Sequence, residues 1–356
     1  MSLISRNVFI DTEFFVKANL DFNSRTVKSF EDLCNRDEFR HITTTIVVKE
    51  INRKISEQIK EALKGIKNFR RKAVLLKEYD DESIQQLFTE INEEHVEDKA
   101  LEAFSNFIEQ SNADVIDMSK VDLNEVIEMY FNHDSPFSAK KPNEFRDAFT
   151  LLALRAHLKE HERIYIISDD PDHKKFCEEN DNFINIETLS ALLDVYNKHN
   201  DRRVDFIERF LESRRNEIIQ RLKSELESAS AYNVSTWDDA EIDSFSVTSI
   251  EDFDPKIIHL DDESCQVNFD ITVVFQVEAS GPDTTNGFYD KEDGIIYTFE
   301  TTSNNVIEVK EFSVELDLSF EIDEEEIINE EYYLNVKGIS AGIEFDIEEH
   351  PWEDHR

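Results

Sequence analysis

Near residue 230 this chain changes its period, and no single packing scheme serves both sides of the change. Before it, apolar residues recur at helical spacing. Ile51, Ile55, Ile59, Ala62 or Leu63, Ile66, Phe69, Ala73 and Leu76 mark one face of a helix whose other faces carry Lys, Arg and Glu. After it, apolar residues alternate with polar ones. Residues 267–273 (VNFDITV) and 312–322 (FSVELDLSFEI) put the two kinds on opposite faces of a strand, and residues 333–336 and 343–347 continue the theme. The period of two predicts an antiparallel sheet with one buried and one acidic face, either a small sandwich or a sheet packed on helices.

Charge shifts at the same place. Residues 1–230 carry 34 Lys and Arg against 46 Asp and Glu, whereas residues 231–356 carry 5 against 34. Most of the net charge of −41 therefore belongs to the last third. A chain with this balance binds polyanions poorly unless a local basic patch helps. The 356 residues suffice for two domains, and 39% hydrophobic content with 27 Phe argues for folded cores rather than an acidic disordered chain. No basic and then apolar leader opens the sequence, and no run approaches the roughly 18 apolar residues of a membrane span. Cys34, Cys177 and Cys265 are odd in number and far apart, which predicts reduced, buried thiols and a cytoplasmic setting.

Within the first part, strands alternate with helices. Residues 7–11 (NVFID) form an apolar run that ends in an acid, and residues 163–168 (RIYIIS) form a second strand. Thr43, Thr44 and Thr45 offer cap hydroxyls to the helix after them. A further helix is expected over 82–110, strands at 114–118 and 183–186, a helix from 143 to 160 behind Pro142, and another from 189 to 228. The fold class is thus α/β, a three-layer parallel-sheet domain, followed by helices and a separate acidic antiparallel β domain. The expected boundaries are 1–200, a helical connector over 201–235, and 236–356.

The residues with chemistry are acids at strand ends and helix starts. Asp11 ends the first strand, and Glu50 lies one to two turns into the next helix. Glu144 and Asp147 are three apart and share a helix face. Asp169, Asp170 and Asp172 follow the strand that ends at Ser168. Loops at the carboxyl ends of parallel strands converge on one crevice, so these acids can meet despite their separation. Clustered carboxylates repel unless a cation neutralises them, and their hard oxygens suit Mg²⁺ or Mn²⁺. Such a cation activates water and stabilises a phosphoryl group. Lys140, Lys141, Arg146, Lys174 and Lys175 flank the acids and are candidates to position phosphates. Arg70, Arg71 and Lys72 are a further basic group with the same potential. His157 and His161, four apart, lack a third ligand nearby and read as surface or packing residues.

The fragments VFIDTEFF around Asp11, TIVVKEI around Glu50, EFRDAFTLLAL around Asp147 and IISDDPD around Asp170 resemble, in order and separation, the PIN-domain nuclease family. The resemblance covers residues 5–195. It implies a metal-dependent endoribonuclease that uses Mg²⁺ or Mn²⁺, with Asp11, Glu50, Asp147 and Asp170 catalytic and metal-binding. Glu144 and Asp172 would assist at the metal. Thr12, Lys140, Lys141, Arg146 and Lys174 would contact an RNA substrate, and Thr12 is also placed to hydrogen-bond a carboxylate. By family analogy the setting is a toxin or an antiviral defence effector. Glu13 stands where the family more often has Asn. Two alternatives stay open: a DNA-cutting nuclease of the same fold, or an inactive PIN-like scaffold that acts through its acidic β domain. That domain also suggests a regulatory protein or a nucleic acid as partner, by mimicking nucleic acid or holding a basic surface. A homo-oligomer remains open as well.

Overall fold

The computed structural model describes residues 3–78, 82–201, 203–261, 263–290, 295–323 and 326–349, and the chain divides into two compact units, Met1–Tyr196 and Asn197–Arg356. In chain order the first unit runs β1 (Asn7–Ile10), α1 (Thr12–Lys17), α2 (Arg25–Asn35), β2 (Arg40–Thr44), α3 (Thr45–Lys72), α4 (Glu82–Gln86), α5 (Glu93–Gln110) and β3 (Asp114–Ile116). It continues with α6 (Leu123–Asn132), α7 (Phe145–His157), β4 (Ile164–Ile167), α8 (Pro171–Glu179), β5 (Phe183–Ile186) and α9 (Leu189–Asn200).

All five strands are parallel, in the order β3-β2-β1-β4-β5, with helices flanking the sheet. Val8, Phe9 and Ile10 of β1 and the whole of β4 are buried, which is why both read as unbroken apolar runs. The chain leaves β1 toward β2 and β3, then returns to add β4 on the other side of β1. A crevice opens where strand order reverses in this way, outside the carboxyl ends of β1 and β4. The Asp11 N–H donates to Ile167 O at 3.0 Å, so the ends of the two strands are tied together at that point.

Two expected helices are broken. The stretch over 82–110 divides into α4 and α5, and Asn92 caps α5 by accepting from His95 N–H at 3.2 Å. The stretch over 189–228 divides at Asp201, whose Oδ1 accepts from Arg203 N–H at 2.8 Å and starts α10 (Arg203–Glu227) afresh. Both breaks use short polar side chains that compete with the helix for its own N–H groups. The 143–160 helix starts only at Phe145, so Pro142 precedes it rather than opening it.

α10 falls in the stretch expected as a connector, yet it lies inside the second unit. Val204, Ile207, Leu211, Ile218, Leu222 and Leu226 repeat at helical spacing and are buried in one core with the sheet. Each such side chain contributes about 1.5–3 kcal/mol. The second unit continues with β6 (Ala231–Asn233), β7 (Glu241–Glu251), β8 (Lys256–Leu260), β9 (Ser264–Pro282), β10 (Phe288–Asp290), β11 (Ile295–Tyr297), β12 (Thr301–Asp323), β13 (Glu326–Val336) and β14 (Ile343–Phe345). The main sheet is antiparallel, in the order β13-β12-β9-β7, with β8 also on β9, and α10 packs on β7 and β13. Of the two arrangements open from sequence, this is the sheet packed on a helix. Gly281 is required where β9 passes Trp237: a Cβ there would lie 2.7 Å from the indole, whose Nε1–H donates to Pro282 O at 2.9 Å.

β9 and β12 are 19 and 23 residues long and pair along nearly all of their length. β13 covers β12 only from Val314 onward. Among the described residues, 301–312 therefore pair on one side alone and leave an open strand edge. Cys34, Cys177 and Cys265 are all free and buried, and burial pushes the thiols of Cys34 and Cys177 up to about 12. No helix among the described residues is long and apolar enough to cross a membrane.

Candidate active site

The starts of four helices set the site. Asp11 leaves β1 in extended geometry and caps α1, its Oδ1 accepting from Thr12 N–H at 2.8 Å. Asp170 leaves the β4 loop and caps α8, its Oδ1 accepting from Asp172 N–H at 2.7 Å. Thr44 is the residue of the threonine trio that caps α3, accepting from Val47 N–H at 3.2 Å, and this fixes Glu50 one and a half turns further on. Asp147 comes from the first turn of α7, with Glu144 at its cap position.

Ser168 is the hub between them. Its Oγ donates to Asp11 Oδ2 at 3.3 Å and accepts from Asp170 N–H at 3.2 Å. A hydroxyl has one proton to give. With that proton directed to Asp11, the contact of 3.0 Å between Ser168 Oγ and His173 Nδ1 has the ring as donor. His173 is 2% exposed, and its Nε2 has no hydrogen-bond partner. Nδ1 lies 3.9 Å from Asp11 Oδ2 and Nε2 lies 4.0 Å from Asp147 Oδ2. The imidazole therefore stands between two carboxylates that are 136 residues apart in the chain. Sequence reasoning missed both Ser168 and His173. The only signal was position, since Ser168 ends a buried strand and His173 follows Asp170 by three residues on α8.

The acids divide into two electrostatic groups. Burial raises Asp11, against the pull of the His173 ring and the Thr12 amide. Burial also raises Asp147, and a hydrogen bond with Glu144 and the charges of Asp11, Glu144 and Glu50 carry it further, to about 8. These two form a partly buried pair, both raised above the usual carboxylate range. Asp170 differs: burial pulls it up, but bonds from Lys141 and the Asp172 amide outweigh that and hold it low. Lys141 Nζ lies 2.7 Å from Asp170 Oδ2 and 3.1 Å from Asp172 Oδ2. Glu50 is bonded by Arg146 Nη1 and accepts from Thr12 Oγ1 at 3.2 Å.

The structure thus gathers Asp11, Glu50, Glu144, Asp147 and Asp170 at the crevice, with Asp172 at its margin. Lys141 and Arg146, expected on phosphates, rest on carboxylates. Lys174 Nζ is 3.9 Å from Glu187, Lys140 is exposed, and Lys17 holds Asp169. His157 contacts Arg40 and Asp114, and His161 is exposed. Among the described residues no three acid, His or Cys side chains already converge as a metal-binding group. Arg146 is paired with Glu50 and Lys141 with Asp170. The donor set nonetheless suits a hard divalent cation. Burial raises Asp11 and Asp147 above their ordinary range, and a buried ring nitrogen beside them has no hydrogen-bond partner.

A parallel sheet flanked by helices, with acids outside the carboxyl ends of its strands, places this unit among α/β folds that carry their sites at the switch point. The N-terminal unit is a PIN domain, and the family model of that description matches residues 8–173. PIN domains are generally metal-dependent nucleases that use divalent cations. No curated protein and no solved structure matches the chain.

Proposed function

We propose that the N-terminal unit is an endoribonuclease that hydrolyses RNA phosphodiesters with Mg²⁺ or Mn²⁺. Asp11, Glu50, Asp147 and Asp170 would hold the cation, with Glu144 and Asp172 assisting. The observation that carries the reading is the meeting of Asp11 and Asp147 around His173, with Asp147 raised to about 8. When bound, the cation supplies an activated water and offsets charge on the phosphoryl oxygens.

The chain's own side chains do the rest. Ser168 and the Thr12 amide fix the Asp11 carboxylate from two sides. Glu144 and Asp147 share a hydrogen bond, and the proton that the raised Asp147 holds would be displaced by a cation bound here. Arg146 and Lys141 are long, half-exposed cations able to turn from a carboxylate to a substrate phosphate as the acids become occupied. Lys140, Lys174 and Thr12 complete the substrate side. The family analogy supports RNA as substrate and a toxin or antiviral setting, and both parts of the reading rest on it.

The test is cleavage of mixed RNA and single-stranded DNA in Mg²⁺, in Mn²⁺ and in EDTA, beside Asp11→Asn and Asp147→Asn. RNA cleavage that requires the metal is expected to fall by more than about 100-fold in either variant, beyond the loss usual for an outer-shell group. Cleavage of DNA alone would replace RNA with DNA in the assignment. No cleavage together with no carboxylate-dependent Mn²⁺ binding would leave an inactive scaffold.

A further inference from the structure

α3 is the exception in an acidic chain. Its 28 residues carry nine Lys and Arg against three Glu, while the whole chain has a net charge of −41. The cations are not scattered. At 3.6 residues per turn, Lys49, Arg53, Lys60, Lys64, Lys67 and Arg71 fall within an arc of about 60°. All six are exposed, and their arc lies opposite the buried Ile51 and Ile55. The row runs for about 33 Å along the helix. It begins at Lys49, next to Glu50 at the acid cluster.

The other basic residues of the helix show what a structural cation looks like here. Arg70 lies off the arc and is committed to backbone, its Nε donating to Leu87 O at 2.6 Å and its Nη2 to Thr89 O at 2.5 Å. On the arc, Lys67 pairs with Glu93, and Arg53 Nη1 lies 3.7 Å from Glu57 Oε1. Both pairs are solvent-exposed and therefore weak. Among the described residues no ion pair joins Lys49, Lys60, Lys64 or Arg71 to an acid. A solvated helix face in this protein would be expected to carry mixed charge, as the faces with Glu50, Glu57 and Glu61 do.

We propose that this row is a track for one strand of RNA, binding successive phosphates and leading the backbone to the acid cluster. The inference rests on the nuclease reading and adds where the substrate lies. A row one side chain wide fits a single backbone rather than the paired grooves of a duplex. It also resolves the charge problem, since a polyanion needs a local basic surface on a chain that repels it overall.

The experiment is fluorescence anisotropy of a labelled 30-nucleotide oligo(U) with the full-length protein in EDTA, across a salt series. The variant combines Lys60→Gln, Lys64→Gln and Lys67→Gln. Lys54→Gln, on another face of α3, is the control, and a triple Lys→Arg variant restores the charge. The triple Gln variant should bind about tenfold more weakly, and its salt slope should fall by about 2, at roughly 0.7 per lost contact. The Lys→Arg variant and Lys54→Gln should match the parent, and a 4-nucleotide oligo should not distinguish any of them. An unchanged slope and affinity in the triple Gln variant, with unchanged circular dichroism, overturns the proposal. So does loss of binding to poly-glutamate or to a second copy of this chain with RNA binding intact, which would assign the face to an acidic protein. Binding in EDTA does not depend on cleavage. RNA held by the row but never cut would sink the nuclease reading alone. Metal-dependent cleavage with an unaltered salt slope would sink the track alone.

Discussion

The two units spend the same residue type in opposite ways. In the first, every strand end that matters points to one edge of a parallel sheet. Asp11 and Asp170, after β1 and β4, therefore share one crevice, to which α3 and α7 add Glu50 and Asp147, although the four span 160 residues of chain. In the second, an antiparallel sheet strings its acids along strands. Glu311, Glu315 and Asp317 alternate with core residues on β12, and Lys337 Nζ is one of the few bases among them, 3.0 Å from Glu315. Topology, more than acidity, decides whether a carboxylate becomes part of a site. Asp11 and Asp147 are raised by burial and Asp170 is held low by Lys141, whereas the many acids of the second unit act chiefly through their summed field.

The comparison can be broken at its strongest point by emptying the second core. Phe275 is fully buried against Phe245, Phe312 and Phe345. Phe275→Ala should destabilise the second unit by about 3–5 kcal/mol. Denaturant unfolding followed by fluorescence, to which the buried Trp237 contributes, measures it. Metal-dependent cleavage should persist in conditions where that unit remains folded. A cost below about 1 kcal/mol would mean that the sheet and α10 do not share the core described.

A smaller effect sharpens the contrast through pH. Asp147 has a folded pKa of about 8, above its ordinary value of 3.8, so between these the folded state holds a proton that the unfolded state has released. Its contribution to stability is therefore lost as pH rises from about 4 to 8. Asp147→Asn lacks this loss. In EDTA its melting temperature should gain on the parent across that window and level off above it, by about 2–4 °C for each kcal/mol recovered. Mn²⁺ should reverse the order by stabilising only the parent. A gap independent of pH would show that the surroundings of Asp147 do not raise it.

The smallest effect concerns the cations that rest on the acids. Arg146→Gln releases Glu50 and should tighten Mn²⁺ binding by up to about fivefold, the scale of one exposed ion pair. The same change should weaken RNA binding in EDTA. Isothermal titration reads the first and anisotropy the second. Weaker Mn²⁺ binding would show that Arg146 orients Glu50 for the metal.

Much of this was legible in the sequence because it is local. The apolar runs of β1 and β4 show burial on both faces, and the acids at their ends mark the crevice. His173 was not legible, because its meaning depends on Ser168 and on two carboxylates brought in from α7 and β1. The cations near the site were seen, but not that Arg146 and Lys141 rest on Glu50 and Asp170. In the second unit, alternation shows in 312–322 and fades in 301–311, where Thr302, Asn304, Glu308 and Lys310 stand opposite core positions of β9, so the full length of β12 was hidden. The parallel pairing of β6 with β14 joins segments about 110 residues apart and leaves no periodic trace.

The open edge of β12 governs how this protein tolerates crowding by its own copies. Twelve residues of half-paired backbone are a template that another strand can extend. The surrounding unit answers with self-repulsion, 34 acids against 5 bases over residues 231–356, acting over about 8 Å at physiological salt. That guard is conditional on ionisation. Acidification into the carboxylate range, or molar salt that shortens the reach to about 3 Å, strips it away, and light scattering over a pH series would record the onset. Below that threshold the edge is expected to pair with its own copies, and a pH series without rising scatter would show that it stays protected.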